Sequence, residues 1–193
     1  MSMIKLGITG GIGSGKSYVA RLLTETGIPV YDTDSQAKRL MVEHPGIRHD
    51  LIDLLGEEVY LDGRLNKPFL ISYLFASSEN TSRINAIVHP RVKEDFRTWA
   101  SRQEKKVLVL ESAILFEAGF EDMVDKVVVV YAPLDIRIRR AMERDHVAEE
   151  QVRSRMAVQM DEEEKVRHAH FVIINDGEKE LRPQLEKLYN TLN

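Results

Sequence analysis

Along this chain, short apolar runs alternate with longer stretches in which apolar residues recur every three or four positions. The short runs are Ile4–Thr9, Ile28–Tyr31, Val107–Glu111, Lys126–Tyr131 and Phe171–Ile174. Their length and β-branched content predict strands. Val127–Val130 is an unbroken valine run, the pattern of a strand covered on both faces. Helical stretches separate the runs, so the strands should lie parallel and be joined by right-handed crossovers. The expected fold is α/β, with three α/β/α layers around a five-stranded parallel sheet.

Two stretches exceed what a crossover requires. The first, residues 34–104, carries helical patterns at Ile47–Leu55, Pro68–Phe75, Arg83–Val88 and Arg91–Gln103, with turns at His44-Pro45-Gly46 and Asp62-Gly63. His89-Pro90 is expected to end one helix and begin the next, because proline suits a first helical position. This region is a candidate substrate-binding wall. The second stretch, residues 144–169, is dense in charge, including Glu149-Glu150, Asp161–Glu164, Arg153, Arg155 and Arg167. It is poor in large apolar residues, so it should bury little and move readily. The chain is expected to be a single domain whose core takes residues of about 1–33, 105–143 and 170–193, by the sizes usual for such domains.

The first strand leads into the densest chemical signal. Gly10 to Ser17 reads G-G-I-G-S-G-K-S and satisfies G-x-x-x-x-G-K-[ST], with a strand before it and a helical pattern after it. Glycines at 11, 13 and 15 let successive backbone N–H groups converge on one anion, with Ser14 between them. The following helix adds unpaired donors and the positive end of its dipole. Lys16 can reach the β- and γ-phosphates, the Ser17 hydroxyl can ligate Mg²⁺, and the Tyr18 amide should face the α-phosphate. The loop predicts nucleoside triphosphate binding.

Other candidates take their meaning from this loop. Asp32 and Asp34 end the second strand, where the carboxyl edge of such a sheet borders the ligand crevice. One can cap the helix that follows; Asp34 is assigned the proton of an attacking hydroxyl. Arg140 and Arg144 share a helix face and suit a clamp on phosphate oxygens, against the alternative of a solvated face paired with Glu143 and Asp145. Asn175-Asp176-Gly177 is a turn that would also border the nucleotide base, at Asn175 and Gly177. Glu111 either orients Mg²⁺ through water or closes its strand.

Composition narrows the classes. Of 193 residues, 27 are Lys or Arg and 31 are Asp or Glu, a net charge of −4 that argues against general nucleic-acid binding. The chain has no cysteine, which removes disulfides, thiolate metal sites and a cysteine nucleophile. Its six histidines show no metal-ligand spacing. No membrane-spanning run and no signal-peptide pattern is present, so a cytoplasmic location is expected.

Taken together, these residues resemble the dephospho-CoA kinase family over nearly the whole chain. The resemblance rests on the loop and on D-T-D at Asp32–Asp34, L-G-E-E-V-Y-L-D-G-R-L at Leu55–Leu65 and I-V-H-P-R-V at Ile87–Val92. It continues with I-L-F-E at Ile114–Glu117, the arginine pair with Asp145, and I-N-D-G at Ile174–Gly177. It implies a P-loop kinase that moves the ATP γ-phosphoryl group to the ribose 3′-hydroxyl of dephospho-CoA, with Mg²⁺. It implies Asp34, His89, Leu115 and Phe116 on the acceptor side, Lys16, Asp34, Arg140 and Arg144 in catalysis, and residues 144–169 as a lid. A monomer or weak homo-oligomer is expected. Two departures stand out: Asn66-Lys67 replaces an acidic-basic pair, and Glu111-Ser112-Ala113 replaces D-x-P. Other small-molecule P-loop kinases, of nucleoside monophosphate or shikimate type, are the alternative. A GTP-dependent switch would need an N-K-x-D, which Asn66-Lys67-Pro68-Phe69 does not supply.

Overall fold

The computed structural model describes residues 3–192. In chain order the elements are β1 (Ile4–Thr9), α1 (Lys16–Glu25), β2 (Val30–Asp32), α2 (Thr33–Glu43), α3 (Pro45–Leu55), β3 (Tyr60–Leu61), β4 (Arg64–Leu65), α4 (Lys67–Ala76) and α5 (Ser78–Ser101). There follow β5 (Val107–Glu111), β6 (Lys126–Tyr131), α6 (Leu134–Asp145), α7 (Glu149–Met156), α8 (Glu162–Arg167), β7 (Phe171–Ile174) and α9 (Leu181–Leu192). They form two compact units, one of residues 33–102 and the other of the rest. Among the described residues no helix is long and apolar enough to cross a membrane.

The larger unit holds a five-stranded sheet in the order β2-β5-β1-β6-β7, parallel throughout. β1 is central because both its faces and both its edges are covered; β5 and β6 flank it, and the chain changes direction across it. That reversal puts the β1 carboxyl end at the switch point where ligands bind in open α/β sheets. One core joins Leu6 and Ile8 of β1, Val107 and Val109 of β5, and Val128 and Val130 of β6 to Val19 and Leu23 of α1 and Leu185 and Leu188 of α9. The alternate residues Leu108, Leu110, Val127 and Val129 are buried as well, so the strands read as unbroken apolar runs. Four strands match their sequence bounds. β2 is displaced towards Asp32 because Pro29 has no N–H to give the ladder, although its carbonyl accepts from Val109 N at 2.9 Å.

The smaller unit is built on α5. Ile84, Val88, Val92, Phe96 and Ala100 recur every fourth residue and are buried, and α2, α3 and α4 pack against this helix. The stripe corrects the expected helix break at His89-Pro90: α5 runs continuously through Pro90. Proline removes one backbone bond, but apolar contacts on both sides of it hold the two halves in line. Asp62-Gly63 forms the expected turn between β3 and β4, with positive φ at both residues. Asn66 caps α4 by accepting from Phe69 N, which gives the first family departure a structural role.

Candidate active site

The phosphate loop connects β1 to α1 in the larger unit. Gly13 (φ 80°) and Gly15 (φ 89°) take left-handed backbone that only glycine adopts without strain. A Cβ at Gly13 would also lie 2.1 Å from Arg137 O, and one at Gly15 would lie 2.2 Å from the Asn175 amide nitrogen. Gly15 occupies the N-cap position of α1 without a side-chain cap, so the helix dipole opens onto the loop. Among the described residues, no acceptor is found for the amides of Gly13, Gly15, Lys16 and Ser17. The Tyr18 amide donates to Gly15 O at 3.0 Å, closing the first turn of α1. Ser14 is fully buried, and its amide donates to Gly11 O at 3.0 Å.

Glu111 is the acid that this loop meets. The Ser17 hydroxyl donates to Glu111 Oε1 at 2.6 Å, and the Lys16 ammonium lies 3.5 Å from the same oxygen. Register explains the meeting. Glu111 pairs with Ile8 of β1 on one side and with Asp32 of β2 on the other, which brings two carboxylates to the same end of the sheet. Glu111 is only 6% exposed, and the lysine and serine offset the cost of burying its charge. This cluster is a lysine, a hydroxyl and a carboxylate poised around one small volume, the donor set of a phosphate-and-cation site.

On α6 the predicted clamp is already engaged in other bonds. Arg140 donates to Asn175 O at 2.9 Å; Arg144 forms a two-pronged pair with Asp145 at 2.8 and 3.0 Å, and Arg155 joins the same carboxylate. The guanidinium of Arg144 holds the Asp145 carboxyl below its ordinary range, despite an opposing effect of burial. Asn175 braces the loop, donating from its side chain to Ser14 O at 2.8 Å. Gly177, with φ of 90°, completes the turn that Asp176 closes by accepting from Glu178 N and Lys179 N.

Asp34 and His89 lie in the smaller unit. α2 begins at Thr33, so Asp32 precedes the helix and Asp34 stands exposed in its first turn. Burial and the Lys93 ammonium lower the His89 pKa, and the nearby Asp34 carboxylate opposes them. The structure thus brings these two predicted residues into one electrostatic neighbourhood. Because folded His89 resists protonation, the unfolded chain binds the proton more readily, and the contribution of this group to stability falls as pH drops below about 6.5. Urea unfolding at pH values of about 7.5 and 5.5 should show a smaller loss in His89→Gln than in the parent. Equal losses would remove His89 as the source.

Leu115 and Phe116 part company. Leu115, expected on the acceptor side, is fully buried, and a Cβ on Gly7 would lie 2.7 Å from its Cδ1. Phe116 is half-buried, with its ring 5.6 Å from that of His168.

Against this geometry, the model of the family described as dephospho-CoA kinase matches residues 4–180. The dephospho-CoA kinase of Bacteroides fragilis is 54% identical over 186 residues, covering 96% of this chain and 91% of that protein. The enzyme of the same name from Porphyromonas gingivalis is 42% identical and covers 98% and 95%. The chain belongs to the dephospho-CoA kinase family. The crystal structure of TT1252 from Thermus thermophilus, 37% identical, superposes over the whole of both chains with a TM-score of 0.88.

For a dephospho-CoA kinase family member, the least anticipated feature is what holds the loop from outside. Arg137, buried in the first turn of α6, donates from Nε to Ile12 O at 3.1 Å and pairs with the buried carboxylate of Glu162. Glu162 also accepts from Gly11 N, at 3.1 and 3.0 Å to its two oxygens. Lys165 is fully buried and reaches Ala113 O and Glu117 at 3.2 and 3.3 Å. Sequence reasoning read residues 144–169 as charged and mobile and passed over these groups. A signal existed: Arg137 shares the i, i+3, i+7 stripe of Arg140 and Arg144, and Glu162 and Lys165 are spaced i, i+3. Arg137→Leu should cost about 3–5 kcal/mol, because the glutamate is left buried and unpaired. Denaturant titration checks this, and a change under about 0.5 kcal/mol, the range of ordinary surface substitutions, would contradict it.

Proposed function

We propose that this chain phosphorylates the ribose 3′-hydroxyl of dephospho-CoA with ATP, giving CoA and ADP in the final step of coenzyme A biosynthesis. One observation carries the reading. A phosphate loop with four amides that have no acceptor among the described residues, backed by the buried carboxylate of Glu111 in contact with Lys16 and Ser17, sits in a chain that belongs to this family.

The loop amides and Lys16 bind and orient the ATP phosphates, and the reaction then rests on positioning and charge stabilisation. Asp34 takes the proton of the acceptor hydroxyl. Arg140 and Arg144 offset the charge that builds on the transferring group, Arg144 by exchanging Asp145 for a phosphate oxygen. The residues present fit Mg²⁺, since Ser17 and Glu111 offer hard oxygen donors 2.6 Å apart. Mg²⁺, when bound, would neutralise phosphate charge; Ser17 would hold it and Glu111 would orient it. Glu111 keeps the charge of the family's usual aspartate on a side chain longer by one methylene. The enzyme acts in the cytoplasm on a free small molecule.

An acceptor panel tests the assignment. Purified protein with ATP and Mg²⁺ should release ADP with dephospho-CoA and far less with AMP or shikimate. Preferred turnover of AMP or shikimate would replace dephospho-CoA as the substrate.

A further inference from the structure

Residues 159–165 hold the phosphate loop by its outer face. Gln159 Oε1 accepts from Ile12 N at 3.0 Å, while its Nε2 donates to Ala113 O at 3.3 Å. One side-chain amide therefore joins the loop after β1 to the segment after β5. Three residues on, Glu162 accepts from Gly11 N and pairs with Arg137. Lys165 donates to the same Ala113 carbonyl and pairs with Glu117, whose Oε1 also accepts from Met160 N at 2.7 Å. Gly11 and Ile12 thus turn their amides outward onto this segment, whereas those of Gly13, Gly15, Lys16 and Ser17 meet no acceptor among the described residues.

From this division of the loop we infer that residues 159–165 act as a latch, with Gln159 a positioning residue for the donor phosphates. The physical reason is pre-organisation. A glycine-rich loop has many conformations, and ordering it during binding would cost affinity. Anchoring the outward amides of Gly11 and Ile12 removes that freedom in advance and fixes where the inward amides point. Gln159 suits the task because it is neutral and supplies an acceptor and a donor at once. Glu162 and Lys165 fix the segment itself, each buried and each paired. The half of the charged stretch nearest β7 is therefore part of the donor site's frame. The inference rests on the loop holding ATP phosphates, so its test includes a reading that needs no nucleotide.

Gln159→Met keeps the side chain's bulk and removes both hydrogen bonds. It should raise the KM for ATP about tenfold, the scale of one lost pre-organising contact, and leave the KM for dephospho-CoA within about twofold. A merely structural role would move both constants or neither, and either of those results would overturn the proposal. Amide exchange followed by NMR on the ligand-free parent protein gives the independent reading. The Gly11 and Ile12 amides should exchange at least about 10²-fold slower than in an unstructured peptide, and the Ile12 amide should lose that protection in Gln159→Met. Exchange of both amides at near-peptide rates in the parent would show that no latch exists, whether or not the chain turns over dephospho-CoA. That measurement also decides the matter if Gln159→Met fails to fold.

Discussion

Lys16→Ala is expected to lower kcat/KM by about 10³-fold or more, the scale seen when a charged group on a transferring phosphoryl is removed. Two effects combine. The ammonium no longer meets the phosphate oxygens, and Glu111 loses the cation 3.5 Å from its carboxylate. The buried glutamate, then held among the described residues by the Ser17 hydroxyl, would oppose the arrival of a polyanion. ATP affinity should therefore fall along with turnover, a pattern that calorimetry and steady-state kinetics together can read. Lys16→Ala with Glu111→Gln should recover part of the ATP affinity, because the repulsion has been removed. Kinetics in Lys16→Ala indistinguishable from the parent would dismiss the loop as the donor site.

The second large effect is expected at Asp34. Asp34→Asn keeps shape and hydrogen-bonding capacity but cannot take a proton, so kcat should fall by about 10²-fold or more with little change in ATP binding. α2 starts at Thr33, so the residue before the helix is Asp32, and Asp34 is an exposed member of the first turn. An exposed acid there contributes only a few tenths to about 1 kcal/mol through the helix dipole. A folded Asp34→Asn variant with near-parental kcat would remove Asp34 as the proton acceptor.

The sheet was legible because its strands are short, apolar and β-branched, and four of them keep their sequence bounds. The phosphate loop was legible because its glycines and Lys16-Ser17 carry a mechanism at fixed spacing. Less visible was anything decided by contacts distant in sequence. Pro90 looked like a helix boundary, since local rules cannot see that Ile84, Val88, Val92, Phe96 and Ala100 all find packing partners. Leu115 came in through its family motif alone, and a motif does not encode that its side chain is packed beside Gly7. The bracing of Ser14 by Asn175 spans 161 residues, and that of Gly11 by Glu162 spans 151. Charge alone made residues 144–169 look solvated, and only three dimensions reveal that two of those charges are buried against partners.

The most direct test follows the transferred phosphoryl group itself. The purified protein would be incubated with γ-labelled ATP, Mg²⁺ and dephospho-CoA, and the site of the label in the product mapped by mass spectrometry and ³¹P NMR. Label on the ribose 3′-oxygen, absent without protein and lost in Lys16→Ala, is the predicted result. Label elsewhere on the acceptor, or release only as inorganic phosphate, would contradict the assignment.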